Sequence, residues 1–298
     1  MMRMIRKYRP FFVKKIEFGV IIMKNMKSPK KRASKVVGKL VFVSTQVLCI
    51  MVFVYAGLEL FSIFRDYKVA SDEYEKLANH LVTEMPVEET TVSEEINVKK
   101  ESVLDLPYDY EIPEYQVNLE TVKEQNSDTV GWIILPDSKI NYPIVKSKDN
   151  TEYLTTTFEG QTANSGAIFM DMYCPADFNC DNTIIYGHNM KNGSMFRALN
   201  NMTNKEFFWR HHIFSINTGS GFEEYEVISC YETVETDLTS WQISFESLDA
   251  YETWLKTVTM RCTYDCADYD VTKKTITLST CRGQSGGSGR FIVHLQKR

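Results

Sequence analysis

Hydrophobic and polar positions divide the chain into three textures. Residues 40–58 run nineteen positions without a charge, and Leu60, Phe61, Ile63 and Phe64 extend the run past Glu59. An α-helix rises ~1.5 Å per residue and the hydrocarbon core of a bilayer is ~30 Å thick, so about 20 apolar residues cross it. The run therefore predicts a transmembrane helix over 40–64. A run this long, apolar on every face, reads as a membrane span rather than a core helix. A second apolar stretch, 10–23, is broken by Lys14, Lys15 and Glu17 and is too short to span. Residues 65–108 then lose the pattern. A polar helix is expected over 66–82, and 86–100 reads as an acidic, flexible stem.

From residue 109 the texture changes to short apolar runs. Short apolar runs with β-branched or aromatic character lie at 130–135, 140–145, 167–170, 183–186, 212–216, 225–231, 274–280 and 290–295, with turn residues between them. Helical patterns interrupt them at 120–125, 194–199, 205–209 and 247–258. The last carries Leu248, Tyr251, Trp254, Leu255 and Val258 at 3/4 spacing. These elements predict a mainly β (α+β) domain over 109–298, built as a closed or nearly closed β-barrel. Its length suffices for one domain with its own core.

Charge sharpens the boundary. The net charge of −5 hides a step: residues 1–39 hold 13 basic residues and one acid, +12, and the remainder carries −17. The basic segment 1–39 lies directly before the apolar run. The positive-inside rule then places the N-terminus in the cytoplasm and everything after about residue 65 outside, in a single-pass arrangement. A cleaved signal peptide is the rival reading. The run exceeds a usual ~7–15-residue apolar region and no small-x-small cleavage site follows it, so an uncleaved anchor is expected. A chain beginning at Met26 would keep both the basic cluster and the anchor. The acidic bulk argues against nucleic acid as a partner. Hydrophobic content of 43% excludes a disordered chain, and 7 Cys are too few for a disulfide-stapled miniprotein.

Three side chains offer chemistry at strand ends, where functional groups tend to sit. Cys281 ends the run 277–281 and is followed by Arg282 and a Gly- and Ser-rich loop. Arg290 opens the next strand, so a hairpin brings the two together. His188 ends the run 183–188. Thiol, imidazole and guanidinium supply a nucleophile, a proton carrier and an oxyanion donor for acyl transfer.

With these motifs in order along residues 115–298, the chain resembles the sortases, the cysteine transpeptidases that attach proteins to Gram-positive cell walls, and among them class B. The resemblance is carried by Asp128-Thr129-Val130-Gly131-Trp132-Ile133 with Asn141-Tyr142-Pro143-Ile144-Val145, by Asp149-Asn150-Thr151-Glu152-Tyr153-Leu154, and by Gly166-Ala167-Ile168-Phe169-Met170-Asp171. It continues in Asn182-Thr183-Ile184-Ile185-Tyr186-Gly187-His188-Asn189-Met190, Gly193-Ser194-Met195-Phe196, Thr277-Leu278-Ser279-Thr280-Cys281 and Arg290-Phe291-Ile292-Val293. It implies an eight-stranded barrel with an N-terminal helix and a long helix between strands six and seven.

It also implies roles. Cys281 attacks the Thr carbonyl of a C-terminal sorting signal on a surface protein and becomes a thioacyl-enzyme. His188 acts as general acid and base, and Arg290 holds substrate and oxyanion. Ser279, Thr280 and Asn189 are further candidates for substrate contact. An amine of peptidoglycan or lipid II, or of a pilin subunit, then takes the acyl group, with no cofactor and no metal. One departure is the loop after Cys281, where class B relatives often carry Asp or Tyr and this chain has Arg282-Gly283-Gln284-Ser285-Gly286-Gly287-Ser288-Gly289. With ordinary pKa values of ~8.5 for Cys and ~6.5 for His, ~3% thiolate and ~24% imidazolium exist at pH 7, so the thiolate–imidazolium state is below ~1% if the two are uncoupled.

The remaining candidates have structural readings. His294 lies four residues after Arg290 on one strand face and is the rival base. His211 and His212 form a tandem pair with a structural or surface role. Cys174 with Cys180 and Cys262 with Cys266 are spaced for local disulfides, with free thiols as the alternative; neither pair has the Cys-x-x-Cys spacing of a structural zinc site, and Cys230 has no partner in sequence. A papain-like wall hydrolase would place its Cys before its His, at a helix N-terminus, which the order here disfavours. A non-enzymatic surface protein would usually end in its own sorting signal, whereas this chain ends His-Leu-Gln-Lys-Arg.

Overall fold

A computed structural model describes residues 34–84, 112–262, 264, 266–282 and 287–298. Most of the basic segment, the acidic stretch 86–100 and loop residues 283–286 lie outside these. The first element, helix α1 (Ser34–Leu81), runs through two compact units, one up to Arg65 and one from Asp66. In the first unit the side chains of residues 40–61 are exposed although almost all are apolar. This helix is long and apolar enough to cross a membrane.

In the second unit the same helix changes character. Ala70, Tyr74 and Leu77 recur at 4/3 spacing and are buried. The Tyr74 hydroxyl donates to Gly166 O at 2.8 Å, and its ring meets Tyr142 edge-on at 5.1 Å. Glu73 is buried as well, accepting from Thr157 Oγ1 at 2.7 Å and from the Glu159 amide at 2.8 Å. Residues 66–84, which the sequence assigned to the stem, thus form part of the globular unit. Strand β1 (Val82–Glu84) continues from the helix and pairs antiparallel with β2 (Tyr115–Val117).

Eight further strands close a barrel: β3 (Thr129–Ile134), β4 (Asn141–Val145), β5 (Ile168–Met170), β6 (Asn182–Tyr186), β7 (Ile213–Asn217), β8 (Phe222–Val234), β9 (Thr275–Cys281) and β10 (Gly289–Lys297). The order around the barrel is β10-β8-β7-β3-β4-β5-β6-β9. Two pairings are parallel, β4 with β5 and β6 with β9. Each of the eight apolar runs read from the sequence overlaps one of these strands. Helix α2 (Leu119–Gln125) is capped by Asn118, whose Oδ1 accepts from the amides of Glu120 and Thr121. Helix α3 is Lys205–Arg210, and the segment read as 194–199 is a 3-10 helix, Phe196–Thr203. The long helix α4 (Leu248–Thr259) falls between barrel strands six and seven, with Ser247 as its N-cap. Its buried stripe of Tyr251, Trp254, Leu255 and Val258 packs on Ile228, Tyr231 and Ile292, covering the outside of β8 and β10. The main core, with Trp132, Phe158, Phe196 and Phe214 fully buried, forms a separate cluster.

Candidate active site

β9 and β10 form the hairpin expected around the Gly- and Ser-rich loop, and their register sets Cys281 directly opposite Arg290. Directly opposed residues of an antiparallel pair have Cβ atoms about 4.5–5.5 Å apart on one face of the sheet. The thiol and the base of the guanidinium stem therefore share a face. On the other side of β9 runs β6, parallel, with Tyr186 opposite Ser279. The Gly187 amide continues that ladder, donating to Ser279 O at 3.2 Å. His188, two residues past Tyr186, thus leaves the barrel level with Cys281. The residue before it must be small: a Cβ on Gly187 would lie 2.5 Å from Ile168 Cδ1 and 2.7 Å from the Phe196 ring. Three strands with matching registers therefore bring together His188, Cys281 and Arg290, which are separated by 93 and 9 residues in sequence.

His188 is half-buried, and burial lowers its pKa from the usual imidazole value. Its Nε2 lies 2.8 Å from Leu154 O, and against a carbonyl that nitrogen must carry the proton and donate. In the neutral ring Nδ1 is then the nitrogen free to accept a proton. Lowering the pKa cuts the imidazolium at pH 7 below the ~24% of an unperturbed histidine.

Arg290 is tightly held. Its Nη2 pairs with Glu235 Oε2 at 2.9 Å, and its Nη1 donates to Gly287 O at 2.9 Å and Gly289 O at 2.8 Å. Its side chain is 17% exposed, beside a Glu235 that is 44% exposed.

A second set of contacts fixes the backbone at Cys281. Asn189 Nδ2 donates to Cys281 O at 2.9 Å, and Asn200 Nδ2 reaches the same oxygen at 3.3 Å. Arg197 in turn donates to Asn189 Oδ1 at 3.0 Å. Arg282, the next residue, donates to Asn200 Oδ1 at 3.2 Å and pairs with Glu232 at 2.7 Å. Asn189 therefore buttresses the end of β9 in this structure. Ser279 and Thr280 are both buried; the Ser279 hydroxyl accepts from Trp241 Nε1 at 3.3 Å, and Thr280 Oγ1 points into the barrel without a hydrogen-bond partner among the described residues. Asn200, Arg197, Glu232 and Glu235 were not singled out from sequence: Arg197 directly follows the motif ending at Phe196, but nothing local marks its contact with Asn189, and the other three act through tertiary contacts.

His294 is placed differently. It is fully buried under α4, between Thr277 and Tyr231. Thr277 donates to Asn182 Oδ1, so it accepts from His294 Nδ1–H, and Nε2 accepts from the Tyr231 hydroxyl. Burial lowers its pKa to about 3, helped by Arg261. A neutral ring with both nitrogens engaged is a structural cross-link of three strands. His211 and His212 are likewise tied to backbone, to Phe207 O and Trp209 O. Of the two cysteine pairs, Cys262 and Cys266 are joined, while Cys174 and Cys180 are separate thiols.

Comparison with known proteins extends these observations. A sortase domain family model matches residues 133–298. Sortase B of Listeria monocytogenes is 38% identical over 183 residues, 60% of this chain and 74% of that protein. The crystal structure of sortase B from Bacillus anthracis in complex with AAEK1 superimposes with a TM-score of 0.61 at 28% identity, covering 79% of this chain and 99% of the other. The Staphylococcus aureus sortase B–substrate complex does so with a TM-score of 0.57 at 29% identity, covering 60% and 83%.

Proposed function

This chain belongs to the sortase family, as a class B sortase and hence a cysteine transpeptidase; from that premise we propose that it is membrane-anchored and cleaves a C-terminal sorting signal after Thr, using Cys281, His188 and Arg290. The observation that carries the reading is the three-strand register that sets Arg290 opposite Cys281 and brings His188 level with it.

In this mechanism the Cys281 thiolate attacks the Thr carbonyl carbon and the carbonyl π pair moves onto oxygen. The Arg290 guanidinium, released from Glu235, donates to that oxyanion, where a preorganised donor is worth most. The C–N bond breaks as imidazolium His188 gives its proton to the leaving amine, and a thioester remains on Cys281. An acceptor amine then attacks the thioester, neutral His188 takes its proton, and the thiolate departs. Donors from Asn189 and Asn200 on the Cys281 carbonyl hold the nucleophile's backbone still through both steps. The helix over residues 40–64, with the basic segment before it, supports an anchor that keeps the catalytic unit outside the cell. Surface proteins with sorting signals are the proposed donors, and a peptidoglycan or lipid II amine, or a pilin amine, the acceptor.

A sorting-peptide library assayed with added amines, with mass spectrometry of the trapped enzyme, tests this reading. A thioester on the peptide carrying Cys281 and an amine-dependent product are expected. Cleavage without any Cys281 adduct would remove the proposed nucleophile.

A further inference from the structure

We propose that Cys230, Cys262 and Cys266 form, in the reduced chain, a three-thiolate site for a thiophilic divalent cation such as Zn2+. The three sulfurs come from distant parts of the sequence: Cys230 from the middle of β8, the other two from beyond the end of α4. Their Sγ atoms all lie within 4.8 Å of one another. Zn–S bonds of ~2.3 Å around a tetrahedral ion set sulfurs ~3.8 Å apart, so the cation draws Cys230 Sγ in by about 1 Å at most, while the Cys262 and Cys266 sulfurs must part to admit it. The Cα atoms of Cys262 and Cys266 are 7.1 Å apart. That exceeds the ~4.4–6.8 Å usual for a disulfide, whereas an interposed ion lengthens the link and accommodates it.

The surroundings give the site a task. β7 pairs with β8 from Asn217↔Phe222 to Ile213↔Glu226, and His212 O accepts from the Val227 amide. Beyond Val227 that edge of β8 has lost its neighbour. The chain after α4 covers it: Ala267 N donates to Val227 O, and Cys230 N donates to Cys262 Sγ at 3.3 Å. Covering an open edge with a pinned loop is a standard way to protect it. The cysteines lie where such a pin would go. Cys230 is buried at 3% exposure and also pairs across to Val293 on β10, the strand that carries Arg290. No further Cys, His, Asp or Glu joins the group among the described residues. Binding replaces thiol protons by the cation and transfers no electron, and soft thiolates select Zn2+ over Mg2+ or Ca2+. Sequence spacing concealed the site because its third ligand lies 32 residues from the nearer of the pair.

The test uses the full chain, purified in detergent with a non-thiol reductant and stripped of metal. Co2+ alone is titrated in and followed by its thiolate charge-transfer band; Zn2+ alone is followed by thermal melting. The expected result is a near-ultraviolet band saturating at one equivalent, displaced by Zn2+, and a melting midpoint raised by several degrees. Cys262→Ser and Cys266→Ser should each lose the band and the shift while keeping the unliganded melting curve. Cys281→Ala should keep both. An absent band, or a band unaffected by Cys262→Ser, would overturn the proposal.

Discussion

Cys281 and Arg290 are the first cross-strand pair above the loop of the β9–β10 hairpin, opposed residue to residue. Nothing in the packing of the barrel requires a thiol there, since Cys281 is half-buried at the strand end. Cys281→Ala should therefore abolish peptide cleavage and leave the melting midpoint within a few degrees of the parent. Steady turnover by that variant would remove the nucleophile from the mechanism.

Arg290 acts through geometry as well as charge. Lysine keeps the charge but not the planar fork that now spans Glu235 and two carbonyls. Arg290→Lys should lower kcat/KM by about 10²-fold or more, the usual cost of one oxyanion donor. Stability should change by less than ~1 kcal/mol, because the Glu235 partner is exposed. An unchanged kcat/KM would rule out the oxyanion role.

His188 carries a pH prediction. Burial lowers its pKa, so the acid limb of kcat/KM, where a second proton enters the Cys281–His188 pair, should turn below ~6.5. A pH–rate profile with sorting peptide, beside an NMR titration of His188 in the Cys281→Ala variant, measures it. An acid inflection above 6.5 would mean that the imidazolium is stabilised in the site, contrary to the effect of burial.

The barrel and its reactive residues were legible in the sequence for a physical reason. A short apolar run of β-branched or aromatic residues between turn residues marks each barrel strand, and a hairpin puts Cys281 near Arg290 whatever its exact register. His188 became placeable through motif order, since the parallel β6–β9 pairing has no local signature. The polar supports were not legible. Asn200 and Glu232 look like any surface residue until the fold carries them to β9. The helix beyond the apolar run was misleading in a different way. Its buried face holds Tyr74 and Glu73, whose polar ends disguise it as a solvated stem.

His294 predicts acid sensitivity. Its pKa of about 3 in the fold lies below the ~6.5 of an unfolded histidine. As pH falls, the unfolded chain takes up the proton first. The stability associated with this residue is complete above ~6.5 and is lost progressively toward about 3, by up to ~1.4 kcal/mol per pH unit. Urea unfolding at pH 7, 6 and 5 should show a steeper loss in the parent than in His294→Gln, even though the variant starts less stable. Parallel pH dependences would show that His294 is already charged or exposed.

Glu73 tests whether residues 66–84 belong to the globular unit. Its carboxylate is buried, and burial raises its pKa, while the Thr157 hydroxyl and the Glu159 amide donate to it and oppose that rise. Removing the acceptor leaves two donors from the 151–160 region without it. Glu73→Ala should therefore cost about 2–3 kcal/mol, the range for a hydrogen bond to a charged group plus a stranded buried partner. Glu73→Gln keeps one acceptor oxygen and sheds the cost of burying a charge, so it should cost less than half as much. A stem that takes no part in the fold would show neither effect: both variants would unfold with the parent. Chemical unfolding of the three proteins at pH 7 decides between these outcomes. A graded loss, Ala greater than Gln, would show that the helix is a working part of the fold.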